Sequence, residues 1–117
     1  MALQIYHNPR CSKSRQTLAL LEETGKEIEI ILYLETPPSP KELQAILQKL
    51  GKPVRDIIRK GEKLYKELEL SDQDLSTDAL LTALNANPIL IERPIVVSGD
   101  QARIGRPPEA VLEIIKD

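Results

Sequence analysis

The sequence predicts an α/β fold in the order β-α-β, a helical insert, then β-β-α. Two changes of pattern carry this expectation. A short apolar run breaks at Asn8-Pro9 and gives way to helical periodicity, and strand chemistry returns only after Pro88. At 117 residues, 41% of them hydrophobic, the chain has the size and apolar content of a single domain, 1–117, with its own core.

Leu3 to Tyr6 reads as a short strand. Ser12 to about Thr24 reads as a helix that sets Leu18 and Leu21 on one face and ends at Gly25, a residue suited to the position just past a helix. Glu27 to Leu34 reads as a second strand, parallel to the first because a single helix crosses between them. Thr36-Pro37-Pro38 forbids further pairing. Ser39-Pro40-Lys41-Glu42 is a capping box with proline at the first helical position, and Leu43, Ile46, Leu47 and Leu50 follow at helical spacing up to Gly51 and Pro53. Between Val54 and Asn87 the signals stay helical, with Ile57 and Ile58 around Arg59, then Leu64 and Leu68, then Leu75, Ala79, Leu80, Ala83 and Leu84. Three or four helical pieces are expected there, within an insert over about residues 39–90. Pro94-Ile95-Val96-Val97, a turn at Ser98-Gly99-Asp100, and Ala102-Arg103-Ile104 read as a hairpin. Pro107-Pro108-Glu109 opens a last helix with Val111, Leu112 and Ile115 facing inward.

Composition narrows the function. One cysteine leaves no internal disulfide framework, and it suits a reducing cytoplasm. Sixteen Lys and Arg against eighteen Asp and Glu give no basic footprint for nucleic acid, and three tyrosines without Phe or Trp offer few stacking platforms. No apolar run is long enough to span a membrane, and Met1-Ala2-Leu3-Gln4 leads into a strand pattern where an export signal would carry a charged and then an apolar region. The expectation is a soluble, unexported protein with neither nucleic acid nor membrane as partner.

Cys11 is where chemistry is expected. It follows the break at Asn8-Pro9 and opens a helix, so unsatisfied N–H groups and the positive end of the helix dipole favour a thiolate, with His7, Arg10, Lys13 and Arg15 close in sequence. Such a thiol is predicted to be a nucleophile. His7 could stabilise the thiolate or orient the loop, Ser12 and Ser14 are expected chiefly to cap the helix and otherwise to donate to a bound anion, and Arg15 could balance the thiolate from the first turn. His7 is the only histidine, and no Cys, His and carboxylate cluster has metal spacing, so no metal site is expected.

A strand feeding a cysteine at a helix start, with a late proline just ahead of a hairpin, resembles the thioredoxin fold: a four-stranded mixed sheet, here with the helical insert between the second and third strands. In that fold a cis-proline faces the cysteine, and Pro94 is the match. The likeness is closer than fold level. His7-Asn8-Pro9-x-Cys11, Tyr33-Leu34-Glu35-Thr36-Pro37-Pro38, Ile58-Arg59-Lys60, Arg93-Pro94-Ile95-Val96-Val97 and Arg106-Pro107 together resemble the glutaredoxin-coupled arsenate reductase family, of ArsC type, in order and spacing over essentially the whole chain.

The resemblance implies that Cys11 attacks arsenate and that Arg59, Arg93 and Arg106 hold the oxyanion, with Pro94, His7, Ser14 and Arg15 in support. Arginine suits a tetrahedral oxyanion because its planar fork donates two parallel hydrogen bonds. Arg59 is expected on a helix of the insert, and Arg55 and Arg103 are read as surface arginines in ion pairs. Glutathione is the implied co-substrate and glutaredoxin the implied protein partner, with no bound cofactor. The third residue after Cys11 is Ser14, so no resolving thiol exists in the chain and electrons must come from another thiol. Some family members read Cys-Gly-Thr-Ser-Arg where this chain has Cys11-Ser12-Lys13-Ser14-Arg15. That difference leaves two alternatives, a glutathione-dependent protein thiol reductase and a Spx-like module that binds RNA polymerase.

Overall fold

A computed structural model describes residues 2–115. These fall into two compact units, one taking the chain up to Thr36 and again from Arg93, the other formed by Pro37–Glu92.

The first unit carries the sheet. Its strands are β1 (Leu3–Tyr6), β2 (Ile28–Ile31), β3 (Ile95–Ser98) and β4 (Gln101–Ile104), in the order β2-β1-β3-β4. β1 and β2 are parallel, with Leu3 opposite Ile28, and β3 runs antiparallel to both β1 and β4. This is the mixed four-stranded sheet of a thioredoxin-like fold. Alternation along β1 sends Leu3, Ile5 and then His7 to one face. There Leu3, Ile5 and Val96 pack with Leu21 of helix α1 (Ser12–Glu23) and with Val111 and Ile114 of a 3-10 segment, Pro108–Ile114. Leu18 and Ile115 lie against this cluster.

Two expectations in this unit need correction. The second strand stops at Ile31, because Glu35 N and Thr36 N both donate to the Leu32 carbonyl at 2.9 Å and turn the chain away. As an edge strand, β2 has no residue fully buried, and Ile30 is 47% exposed. The C-terminal helix is 3-10, so three residues make a turn and Pro108, Val111 and Ile114 face inward together. Leu112, expected inside, is 44% exposed.

The second unit is the helical insert. Ser39 caps helix α2 (Pro40–Leu50): its hydroxyl accepts from Glu42 N at 3.1 Å, and the Glu42 carboxylate accepts from Ser39 N at 3.2 Å. Gly51, at φ +68°, ends it in the left-handed region that a residue with a Cβ enters at a cost. Leu43, Ile46, Leu47 and Leu50 are all buried, as the spacing predicts. After a 3-10 turn at Val54–Ile57 come α3 (Lys63–Glu67), α4 (Thr77–Ala86) and a 3-10 turn at Pro88–Leu90. α3 is a single short turn with no buried residue, and Leu68 beyond it is 42% exposed. Ile58 is not helical. It forms an antiparallel bridge with Ile91, flanked by 2.7 Å bonds from Arg59 N to Leu90 O and from Glu92 N to Ile57 O.

Candidate active site

Cys11 is the N-cap residue of α1, 9% exposed, with extended backbone and no capping bond from its side chain. The first intrahelical bond runs from Arg15 N to Cys11 O, so the N–H groups of Ser12, Lys13 and Ser14 lie ahead of the helix ladder. The loop before it is a tied turn. Cys11 N donates to Asn8 O and Arg10 N to Asn8 Oδ1, each at 3.0 Å, while Arg15 Nη1 donates to Pro9 O at 2.9 Å. Arg15 is thus spent on the loop backbone.

Behind this turn lies a buried pair. Ser14 is 0% exposed, and its Oγ accepts from Asn8 N at 3.0 Å and sits 2.6 Å from His7 Nδ1. A buried hydroxyl that accepts one bond still has a hydrogen to place, and Nδ1 is the acceptor on offer. This assigns the His7 proton to Nε2. Burial first, and the nearby Arg15 charge second, push His7 below its usual value of 6.5, so the ring is neutral at pH 7. His7 therefore fits the orienting role and adds no positive charge beside Cys11. Ser14 does not cap the helix, a correction to the expectation from sequence, because its buried hydroxyl is engaged by Asn8 N and His7 Nδ1.

The Arg93-Pro94 peptide is cis, as is Arg106-Pro107. Gly105 N donates to Pro94 O at 2.9 Å. A Cβ on Gly105 would come within 2.5 Å of Thr17 Oγ1 and 2.8 Å of Pro94 Cγ, so only glycine lets the strand end pass between helix and proline. That passage brings Arg106 to Cys11. Its Nε donates to Arg93 O at 2.8 Å and its Nη2 stands 3.7 Å from Cys11 Sγ. The backbone of one expected anion-binding arginine thus steers the side chain of another.

Arg59 belongs to the insert and is not on a helix. Its Nε donates to Glu62 at 3.1 Å and its Nη1 to Glu92 at 3.3 Å, which fixes the plane of the guanidinium. Arg55, expected in an ion pair, makes none among the described residues; it clamps a loop by donating to Leu70 O and Asp72 O, each at 2.7 Å. Arg103 does pair, with Glu113 at 3.7 Å. Sequence reasoning did not single out Gly105 or Thr17, and only a Gly-Arg-Pro run after a strand hinted at a close approach.

The ArsC family model matches residues 6–114. The chain belongs to the ArsC family. A relative from Haemophilus influenzae, named arsenate reductase, is 54% identical over 116 residues, covering 98% of this chain and 100% of the relative. The protein YfgD of Escherichia coli K12 is 57% identical over 114 residues, 97% of this chain and 96% of that one. A solved structure described as arsenate reductase from Vibrio cholerae superposes with a TM-score of 0.95 at 59% identity, covering 98% of both chains. Among the described residues of this ArsC-family chain, no group of three or more His, Cys, Asp or Glu could hold a metal ion, and no helix is long and apolar enough to cross a membrane.

Proposed function

We propose that this chain reduces arsenate to arsenite, with Cys11 as nucleophile, Arg59, Arg93 and Arg106 as the oxyanion site, and glutathione and glutaredoxin as the electron route. The observation that carries the reading is Arg106 Nη2 at 3.7 Å from Cys11 Sγ. A guanidinium there offers its remaining N–H donors to a tetrahedral anion brought against the sulfur. The names of the family relatives support the same substrate.

The Cys11 thiolate attacks arsenic, forming an S–As bond as one oxygen leaves with protons as water. The arginines and the first-turn N–H groups of α1 neutralise the oxygens that carry the charge. Glutathione thiolate then attacks Cys11 Sγ. The S–As bond breaks with its electron pair on arsenic, giving trivalent arsenite and a Cys11–glutathione disulfide. Glutaredoxin attacks the glutathione sulfur and returns Cys11 as thiolate. Two electrons pass, both from external thiols, and the proposed setting is the reducing cytoplasm with no bound cofactor.

Cys11→Ser is expected to abolish arsenate turnover. Arg59→Lys, Arg93→Lys and Arg106→Lys keep the charge but lose the fork, so each should lower kcat/KM for arsenate by about tenfold with Tm nearly unchanged. Wild-type kcat/KM in all three would show that the anion binds elsewhere.

A further inference from the structure

Arg59 is held from two sides. Ile58 and Ile91 face each other in an antiparallel bridge and are both buried, and the bonds from Arg59 N to Leu90 O and from Glu92 N to Ile57 O flank them. Side chains alternate across such a pair, so Arg59 and Glu92 emerge on the face opposite the two isoleucines, as diagonal neighbours within reach of long side chains. The chain then turns, with Glu62 N donating to Arg59 O at 3.2 Å, and this brings Glu62 to the same guanidinium. Glu62 stands at the N-cap of α3 but makes no capping bond; its carboxylate goes to Arg59. The side chains of Arg59, Glu62 and Glu92 are 22%, 27% and 24% exposed, so solvent screens the two pairs only in part.

A guanidinium can grip an anion along its side, with Nε and Nη2, or at its end, with the two Nη groups. Nε carries a single hydrogen, and Glu62 takes it at 3.1 Å, which closes the side. Glu92 accepts from Nη1 at 3.3 Å, and no hydrogen bond among the described residues uses Nη2. We propose that Glu62 and Glu92 are positioning residues: they hold Arg59 so that it meets the oxyanion end-on, through Nη2. The inference rests on the oxyanion site proposed above. Two carboxylates beside an anion-binding arginine offset its charge and, taken as charges alone, oppose the anion. As tethers they act in the other direction, because a side chain already fixed in one rotamer has less freedom to lose when the anion binds.

The sign of the effect on arsenate affinity separates the two roles. In the full-length chain, Glu62→Ala and Glu92→Ala should each raise KM for arsenate several-fold with kcat nearly unchanged, and should raise Kd for arsenate likewise when Cys11→Ser blocks the chemistry. Glu62→Gln and Glu92→Gln, whose amide oxygens still accept from Arg59, should recover most of the loss. Affinity that is unchanged or tighter in both alanine variants would overturn the inference, as would glutamine variants no better than alanine. If the alanine variants do not fold, the Arg59 side-chain resonances of the wild type decide. As arsenate saturates, Nη2 should shift while Nε–H keeps its carboxylate-bound position; movement of Nε–H with Nη2 still would show the anion taking the place of Glu62 and overturn the inference. Arsenate binding that needs both carboxylates, in a chain that does not reduce arsenate, would keep the positioning and remove the proposed activity. Full turnover at normal KM in both alanine variants would do the reverse.

Discussion

At the scale of single residues, Cys11 is a poor cap for its own helix, and its loop compensates through neighbours. The Ser14 hydroxyl, 0% exposed, holds both the Asn8 amide and His7 Nδ1, so removing it leaves the buried imidazole nitrogen and a part-buried N–H unpaired. Ser14→Ala should cost roughly 1–3 kcal/mol, read as a lower urea midpoint. The same pair sets a pH dependence. His7 in the folded chain titrates below its usual 6.5, first through burial and then through Arg15, so below that pH the unfolded chain binds the proton more readily. Stability is therefore full above about pH 6.5 and is lost as pH falls toward the folded value. Melting curves from pH 8 to 5 should show Tm falling in that window for the wild type and falling less for His7→Asn, whose amide oxygen can still accept from Ser14. Parallel curves would mean that His7 does not contribute. Sequence pointed to His7 and Ser14 but not to their contact, because a bond across seven residues depends on β1 sending His7 toward α1.

At the scale of elements, what was legible is what local chemistry decides. The capping box at Ser39, the left-handed Gly51 and the four inward leucine and isoleucine positions of α2 all follow from short-range rules. What was not legible depends on the helix type or on a distant partner. Leu112 reads as inward at α-helical spacing and turns outward at three residues per turn, and Arg59 leaves the helical pattern because Ile58 pairs with Ile91, thirty-three positions away. Gly105 belongs to the same class. Its φ is outside the left-handed region, so space and not backbone freedom requires glycine. Gly105→Ala should cost about 1–3 kcal/mol through overpacking and, by moving Arg106 off Cys11, should lower kcat/KM for arsenate. Thr17→Ala in the same chain removes the nearest contact and should recover part of the lost stability. Simple additivity of the two changes in thermal melts would show that the crowding is not the cause.

At the scale of the whole molecule, the decisive fact is a count: one thiol in 117 residues. A cysteine that ends a catalytic cycle in a mixed disulfide must be freed by a second thiolate, and where other reductases place that thiolate three residues on, this chain has a buried serine already engaged with His7. Ser14 can neither resolve a disulfide nor be reached from solvent. With no second thiol in the sequence, the proposed chemistry needs an external electron route, and arsenate turnover is expected to require glutathione and glutaredoxin together. Omission experiments that follow NADPH oxidation should give background rates when either is left out and when thioredoxin replaces both. A Ser14→Cys chain tests the argument from the other side: a thiol at 0% exposure, 2.6 Å from an imidazole in the parent, should not substitute for glutaredoxin, because the position is sealed beneath the loop. Sustained arsenate reduction by thioredoxin alone in the wild type would show that the Cys11 disulfide is open to a partner without glutathione's help, and the proposed order of thiols would fall.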